Sequence, residues 1–300
     1  MVQNIGNKLV HTVWRQADKA GYFCIAGNIP ANQKVHELRR GFKRLRALLR
    51  FFNEIPESPA AMLQKDIRNF GKLLAPLRES AVNLDIFERE IAGNTLLPDK
   101  KIRNARDLLA NKNKELMDRG FWGNNLHNTI RTFFEGFDEV LPINNNGLLT
   151  KIQVYREASL SYQTGFNFYS QLPVNPHPDE WHELRKKMKR IWYQLDFIRY
   201  FHPRYFKLKT DQLNKITDQL GDDHDLHVFS EDLSSGKYGL NEEELRIMKN
   251  QVENLRELNQ LKLQPRLKQF FSAPPSEFNQ KLQRFFKLDL EGLELYQDTD

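Results

Sequence analysis

Apolar positions along this 300-residue chain recur at helical spacing through segments of roughly fifteen to thirty residues, and no run alternates with the two-residue period of a strand. Short turn-like stretches separate them: "NIP" at 28–30, "EIPESP" at 54–59, "LPINNNG" at 141–147, "LPVNPHPDE" at 172–180, "SSGKYG" at 234–239 and "SAPPS" at 272–276. The pattern predicts an all-α protein. In "VHELRRGFKRLRALLRFF" at 35–52, a 100° step per residue gathers Val35, Leu38, Phe42, Leu45, Leu48, Leu49 and Phe52 on one side. Arg39, Arg40, Lys43, Arg46 and Arg50 fall on the other side, around His36. One stripe is a core face and the opposite one a ladder of cations about 5 to 6 Å apart.

The same helix returns as "WHELRKKMKRIWYQLDFI" at 181–198. Offset by 146, it shares His36/His182, Glu37/Glu183, Leu38/Leu184, Arg39/Arg185, Lys43/Lys189, Arg44/Arg190, Leu49/Leu195 and Phe51/Phe197. Two further landmarks keep the order, "AGYF" at 20–23 with "TGFN" at 164–167 and "NLDIF" at 83–87 with "DLHVF" at 225–229. An internal repeat is therefore expected, with halves of about 1–145 and 146–300, each a bundle of four or five helices. In the second copy Trp192 replaces Arg46 and Asp196 replaces Arg50, which shortens the ladder to His182, Arg185, Lys186 and Lys189. Pro178 suits the first helical position, and Asp179 and Glu180 suit the positive end of the helix dipole.

Charge sharpens the picture. The formal net charge is +6, yet residues 35–50 carry a net +5 and residues 181–199 a net +4, so the rest of the chain is slightly acidic. Concentrating cations on two repeated helices is the footprint of a polyanion site. Arginine grips phosphate through a planar fork, lysine acts as a mobile point charge, and protonated histidine donates more strongly, which predicts tighter binding toward pH 6. Composition narrows the remaining classes: 40% apolar residues suffice for a core, and one cysteine, Cys24, permits no internal disulfide. The chain offers no long apolar run for export or membrane spanning, so a cytoplasmic protein is expected.

Two other chemistries have some support. "DDHDLH" at 222–227 sets His224 and His227 three residues apart with Glu231 one turn further, a spacing open to a metal-dependent phosphohydrolase. The blander expectation has Asp225 paired with a neighbouring cation and His224 lining the junction of the halves. Nucleic acid could also use the basic stripe, with Trp192 and Tyr193 as stacking candidates. Residues 35–50 hold no Asn or Gln to read base edges, so the stripe is built for charge rather than for sequence. Gly-rich phosphate loops, Gly-x-Ser-x-Gly elbows and catalytic Cys-His patterns are missing from the chain.

With its paired His-x-x-Arg-x-x-x-Lys-Arg helices and "LGDDHDLHVF" at 220–229, similar to a Leu-Gly-x-x-His-Asp element, the chain resembles the CHAD domain, the conserved histidine α-helical domain. The resemblance implies two pseudo-symmetric helical bundles around a basic central channel that binds inorganic polyphosphate, without catalysis and without a cofactor. It implies ligand contacts at His36, Arg39, Lys43, Arg44 and Arg46, and at His182, Arg185, Lys186, Lys189 and Arg190. The helical wheel adds Arg40 and Arg50. In the first half, "RESAVNLDIF" at 78–87 has Val82 and Asn83 where the second has His224 and Asp225, so this copy lacks the charged pair.

Overall fold

The stripe of apolar residues read on the first basic helix becomes its buried face: Val35, Leu38, Phe42, Leu45, Leu48 and Leu49 are all at most 2% exposed. The computed structural model describes residues 5–141 and 149–288, and every regular element among them is helical. Besides short 3-10 and π turns such as Arg50–Phe52, the α-helices in chain order are α1 (Ile5–Ile25), α2 (Ala31–Leu49), α3 (Ala60–Leu73), α4 (Ala75–Ile86), α5 (Asp99–Leu116), α6 (Leu126–Glu135) and α7 (Phe137–Val140). There follow α8 (Lys151–Ser170), α9 (Pro178–Phe197), α10 (Pro203–Leu233), α11 (Glu242–Phe270) and α12 (Pro275–Phe286). None of the described helices is long and apolar enough to cross a membrane.

Packing pairs run in parallel along the chain. Helix α1 packs on α2 and α6, and α4 on α5; likewise α8 packs on α9 and α12, and α10 on α11. The sets are joined chiefly by α2 against α9 and α4 against α10, with smaller contacts of residues 50–52 on α8 and 87–91 on α11. The division expected near 145 lies outside the described residues. Where the second set has one 31-residue helix, α10, the first has α3 and α4 joined at Leu74. Pro76, in the first turn of α4, carries no N–H for a continuous helix, and its ring crowds the carbonyl a turn earlier. The first half thus holds more helical pieces than the four or five expected.

Two cores hold these contacts. The larger runs through α1, α2, α8, α9 and α12; the smaller joins Val82, Ile86 and Phe87 to Leu226, Phe229 and Met248. The matching segments at 83–87 and 225–229 therefore meet in space. Helix starts follow the local chemistry: Thr150, His177 and Asn241 cap α8, α9 and α11 in capping boxes with Gln153, Glu180 and Glu244. Pro178 takes the first position of α9, as its sequence suggests.

Candidate functional site

The crossing of α2 and α9, roofed by α4 and α10, sorts the cations of the two repeated helices into separate groups. The first surrounds Asp225 of α10. Charged neighbours of its carboxylate are Arg185 of α9, Arg78 of α4, and Lys43 and Arg39 of α2. Lys43 in turn has Arg185, Arg39 and Lys189 around it. Burial, then these cations, push the Lys43 ammonium well below the usual lysine range, and burial, then Arg185, brings Lys189 down to about 8. The carboxyl of Asp225 is raised by burial, against the pull of the cations.

Few of these groups are satisfied by the protein itself. Arg39 Nη1 donates to the carbonyl of Gly71 at 2.5 Å, and Lys189 lies 3.9 Å from Asp218. Lys43, Arg78, Arg185 and Asp225 make no hydrogen bond or ion pair within 4.0 Å among the described residues, and Arg185 Nε is buried without a partner. Gly221, one turn before Asp225, makes room for this arrangement. A Cβ there would stand 3.3 Å from Arg185 Nη2, so the guanidinium lies across bare backbone of α10. The glycine of the Leu-Gly element is thus a seat for the arginine of the His-x-x-Arg motif.

The histidines differ between the copies. His182 packs its ring on that of His224, with centroids 4.2 Å apart, and its Nδ1 is buried without a partner. Burial, followed by Lys186 and Arg185, pushes His182 down to about 4; burial, followed by His182 and Arg185, brings His224 to about 3. Burial thus favours the neutral form of both rings, against the protonation that tighter binding toward pH 6 would draw on. His36 instead lines a groove between α2 and α4, beside Arg78, Asp85 and Glu88. Burial and Arg78 lower its pKa too.

A second group lies around Glu157 of α8. This buried carboxylate accepts from Arg50 Nε at 2.6 Å, Gln194 Nε2 at 2.9 Å and Ser161 Oγ at 3.1 Å. Arg190 lies next to Arg50, Glu157 and Arg46, and Arg46 next to Arg68 of α3. Arg44 is held by Asp196 of α9 at 2.9 Å. Arg40 is exposed and 3.4 Å from Glu37, while Lys186 is exposed and paired with Glu183. The structure therefore gathers Arg39, Lys43, His182, Arg185 and Lys189 at Asp225, and sets Arg46, Arg50 and Arg190 apart from them. Arg44, paired with Asp196, lies outside both groups, while His36 beside Arg78 and Lys43, Lys186 beside His182 and Arg40 near Lys189 stand at the edge of the first.

Sequence reasoning passed over Arg78, Arg68 and Gly221. Arg78 heads the segment "RESAVNLDIF" and stands where the second copy has Leu220, so the substitution of a cation for an apolar residue was its signal. The DDHDLH segment does not converge as a metal spacing asks: His227 pairs with Glu231 at 3.7 Å, while His224 turns to His182. Among the described residues no three His, Cys, Asp or Glu side chains are grouped to hold a metal ion.

The crystal structure of the CHAD domain from the plant Ricinus communis superposes with a TM-score of 0.60, covering 90% of this chain and 91% of that one at 16% identity. No curated protein matches the sequence. The family model described as the CHAD domain matches residues 25–234, which include α2, α4, α9 and α10 with the whole Asp225 cluster. The chain belongs to the CHAD domain family.

Proposed function

We propose that this protein binds inorganic polyphosphate at the cationic cluster around Asp225, as a binder rather than an enzyme. One observation supports the reading: Lys43, Arg78 and Arg185 converge from three helices with no ion pair or hydrogen bond of their own among the described residues. Cations crowded this way repel one another, and a single carboxylate offsets only part of that repulsion. A chain of phosphates relieves it, taking bidentate contacts from the arginines and point-charge contacts from the lysines. Such a ligand offers repeating charge and little else, which suits a site whose contributions are charge and spacing. Neutral His182 and His224 serve as hydrogen-bonding and packing groups rather than as extra charges.

Affinity drawn from many phosphate contacts falls steeply with salt through counterion release, by analogy with other polyanions. Gel retention of long-chain polyphosphate by the wild type, and by Arg39→Glu/Arg185→Glu, tests the proposal. The double reversal is expected to weaken retention about 100-fold or more while leaving the helical circular dichroism unchanged, since neither residue lies on the apolar stripe. Competing duplex and single-stranded nucleic acid at matched salt decides the ligand class: polyphosphate is expected to win. Undiminished retention by the double variant, or preference for nucleic acid, would overturn the assignment.

A further inference from the structure

Beside the Asp225 cluster, a cleft of about 540 Å³ opens between α1, α2, α9 and α10. Its size falls within the range of about 300 to 1,000 Å³ common for small-molecule sites. Its floor is Gly41, in the middle of α2, where an added Cβ would meet nothing within 4 Å. Glycine inside a helix costs stability relative to alanine, and here it leaves the cleft deep. Phe23 of α1 and Trp192 and Tyr193 of α9 form an aromatic wall. The last two rings are nearly parallel, 21° apart with centroids separated by 5.1 Å. Trp192 stands where α2 carries Arg46, so this part of the second helix has exchanged a cation for a ring.

Tyr193 gives the cleft its direction. Its side chain is buried, 5% exposed, and its hydroxyl has no hydrogen-bond partner among the described residues. The hydroxyl oxygen itself is not sealed from solvent, so it faces the cleft as a free donor and acceptor that a ligand atom can engage. Lys19 and Lys215 line the same space and make no ion pair among the described residues, and Arg40 borders it. Asp196 and Asp211 are also in the lining, the first held by Arg44 at 2.9 Å and Arg199 at 3.7 Å. This mixture differs from the Asp225 cluster, which has cations without an aromatic wall. A bare polyanion would leave the rings uncovered and meet three carboxylates, Glu37 besides Asp196 and Asp211.

We propose that the cleft binds a nucleotide, its base lying against the wall of Phe23, Trp192 and Tyr193 and its phosphates meeting Lys19, Arg40 and Lys215. The Tyr193 hydroxyl, reaching past the rim of its ring, bonds a polar atom of the sugar, and Asp196 or Asn214 takes an exocyclic amino group of the base. Cleft and phosphate cluster share a border at Lys189, whose ammonium lies 4.4 Å from the centre of the Trp192 ring. The test must therefore read both sites.

Isothermal titration of the full chain with ATP, adenosine and tripolyphosphate provides it, with long-chain polyphosphate retention as the parallel readout. ATP is expected to bind at least about tenfold more tightly than tripolyphosphate, because only ATP covers the rings. Gly41→Leu, which fills the cleft with a better helix former, is expected to weaken ATP about tenfold or more. Tyr193→Phe, an isosteric change, is expected to weaken ATP about fivefold. Both variants are expected to retain polyphosphate as the wild type does. Equal affinity for ATP and tripolyphosphate, ATP binding indifferent to Gly41→Leu, or no ATP binding would each overturn the proposal. Loss of polyphosphate retention in the wild type would instead strike the function proposed above and leave this one standing.

Discussion

Helices α2 and α9 share a sequence pattern, yet their equivalent residues meet different partners. His182 stacks on His224, whereas His36 has Arg78 beside it and the position matching His224 is Val82. Arg44 finds Asp196 across the crossing, while its counterpart Arg190 finds Arg50, a like charge. What holds that second side together is Glu157, contributed by α8. The repeat therefore sets where charge is placed, and single substitutions on facing helices decide whether it is neutralised by a partner or left unpaired among the described residues.

This contrast can be broken most severely at Glu157. Replacing it with Ala leaves Arg50 without its acceptor beside Arg46 and Arg190, and Gln194 with the Ala47 carbonyl alone, and is expected to cost about 3 kcal/mol or more. Asp196→Ala, on the partly exposed mirror side, is expected to cost under about 1 kcal/mol. Urea unfolding of the two variants reads the difference directly, and equal losses would show that the two sides are held alike. Next in size is Asp225→Asn. It removes the negative charge nearest the cations, so polyphosphate is expected to bind about tenfold more tightly while the free protein melts at lower temperature.

The pH dependence sharpens the same contrast. With His182 at about 4, Lys189 at about 8 and Lys43 also well below the usual lysine range, affinity is expected not to tighten as pH falls from 7 to 6 and to weaken as pH climbs past 8 and the lysines lose charge. Stability of the free fold runs the other way. Above pH 8 the unfolded chain still binds the proton that folded Lys189 has released, so stability rises toward pH 10.5, the ordinary value for lysine. Titration calorimetry and melting curves across this window check the two signs. The smallest effect is expected from Gly221→Ala. It gains about 1 kcal/mol or less of helix stability but crowds Arg185, weakening polyphosphate about threefold in the gel assay.

Much of this was legible in the sequence because periodicity and repetition are local signals. The apolar stripe of α2, the Pro178 start of α9 and the landmarks at 83–87 and 225–229 all follow from spacing alone. The grouping of the cations was not, because a helical wheel gives direction from one axis and says nothing of the helix opposite. Arg39 and Arg46 lie only 20° apart on the α2 wheel, yet one meets Arg185 and the other Arg68. Glu157 is hidden for the same reason: it lies in the unremarkable sequence of α8 and acquires its role only by facing the crossing of α2 and α9. Gly221 reads as an ordinary glycine until Arg185 is laid over it.

The central claim is that α2 and α9 contribute cations to one anion site. Crystals soaked with tungstate, whose anomalous signal marks an oxyanion directly, test it. The account predicts a peak enclosed by Arg39, Lys43 and Arg185 near Asp225, and its loss in Arg39→Glu/Arg185→Glu. A peak confined to Arg46, Arg50 and Arg68, with the space at Asp225 unmarked, would contradict it.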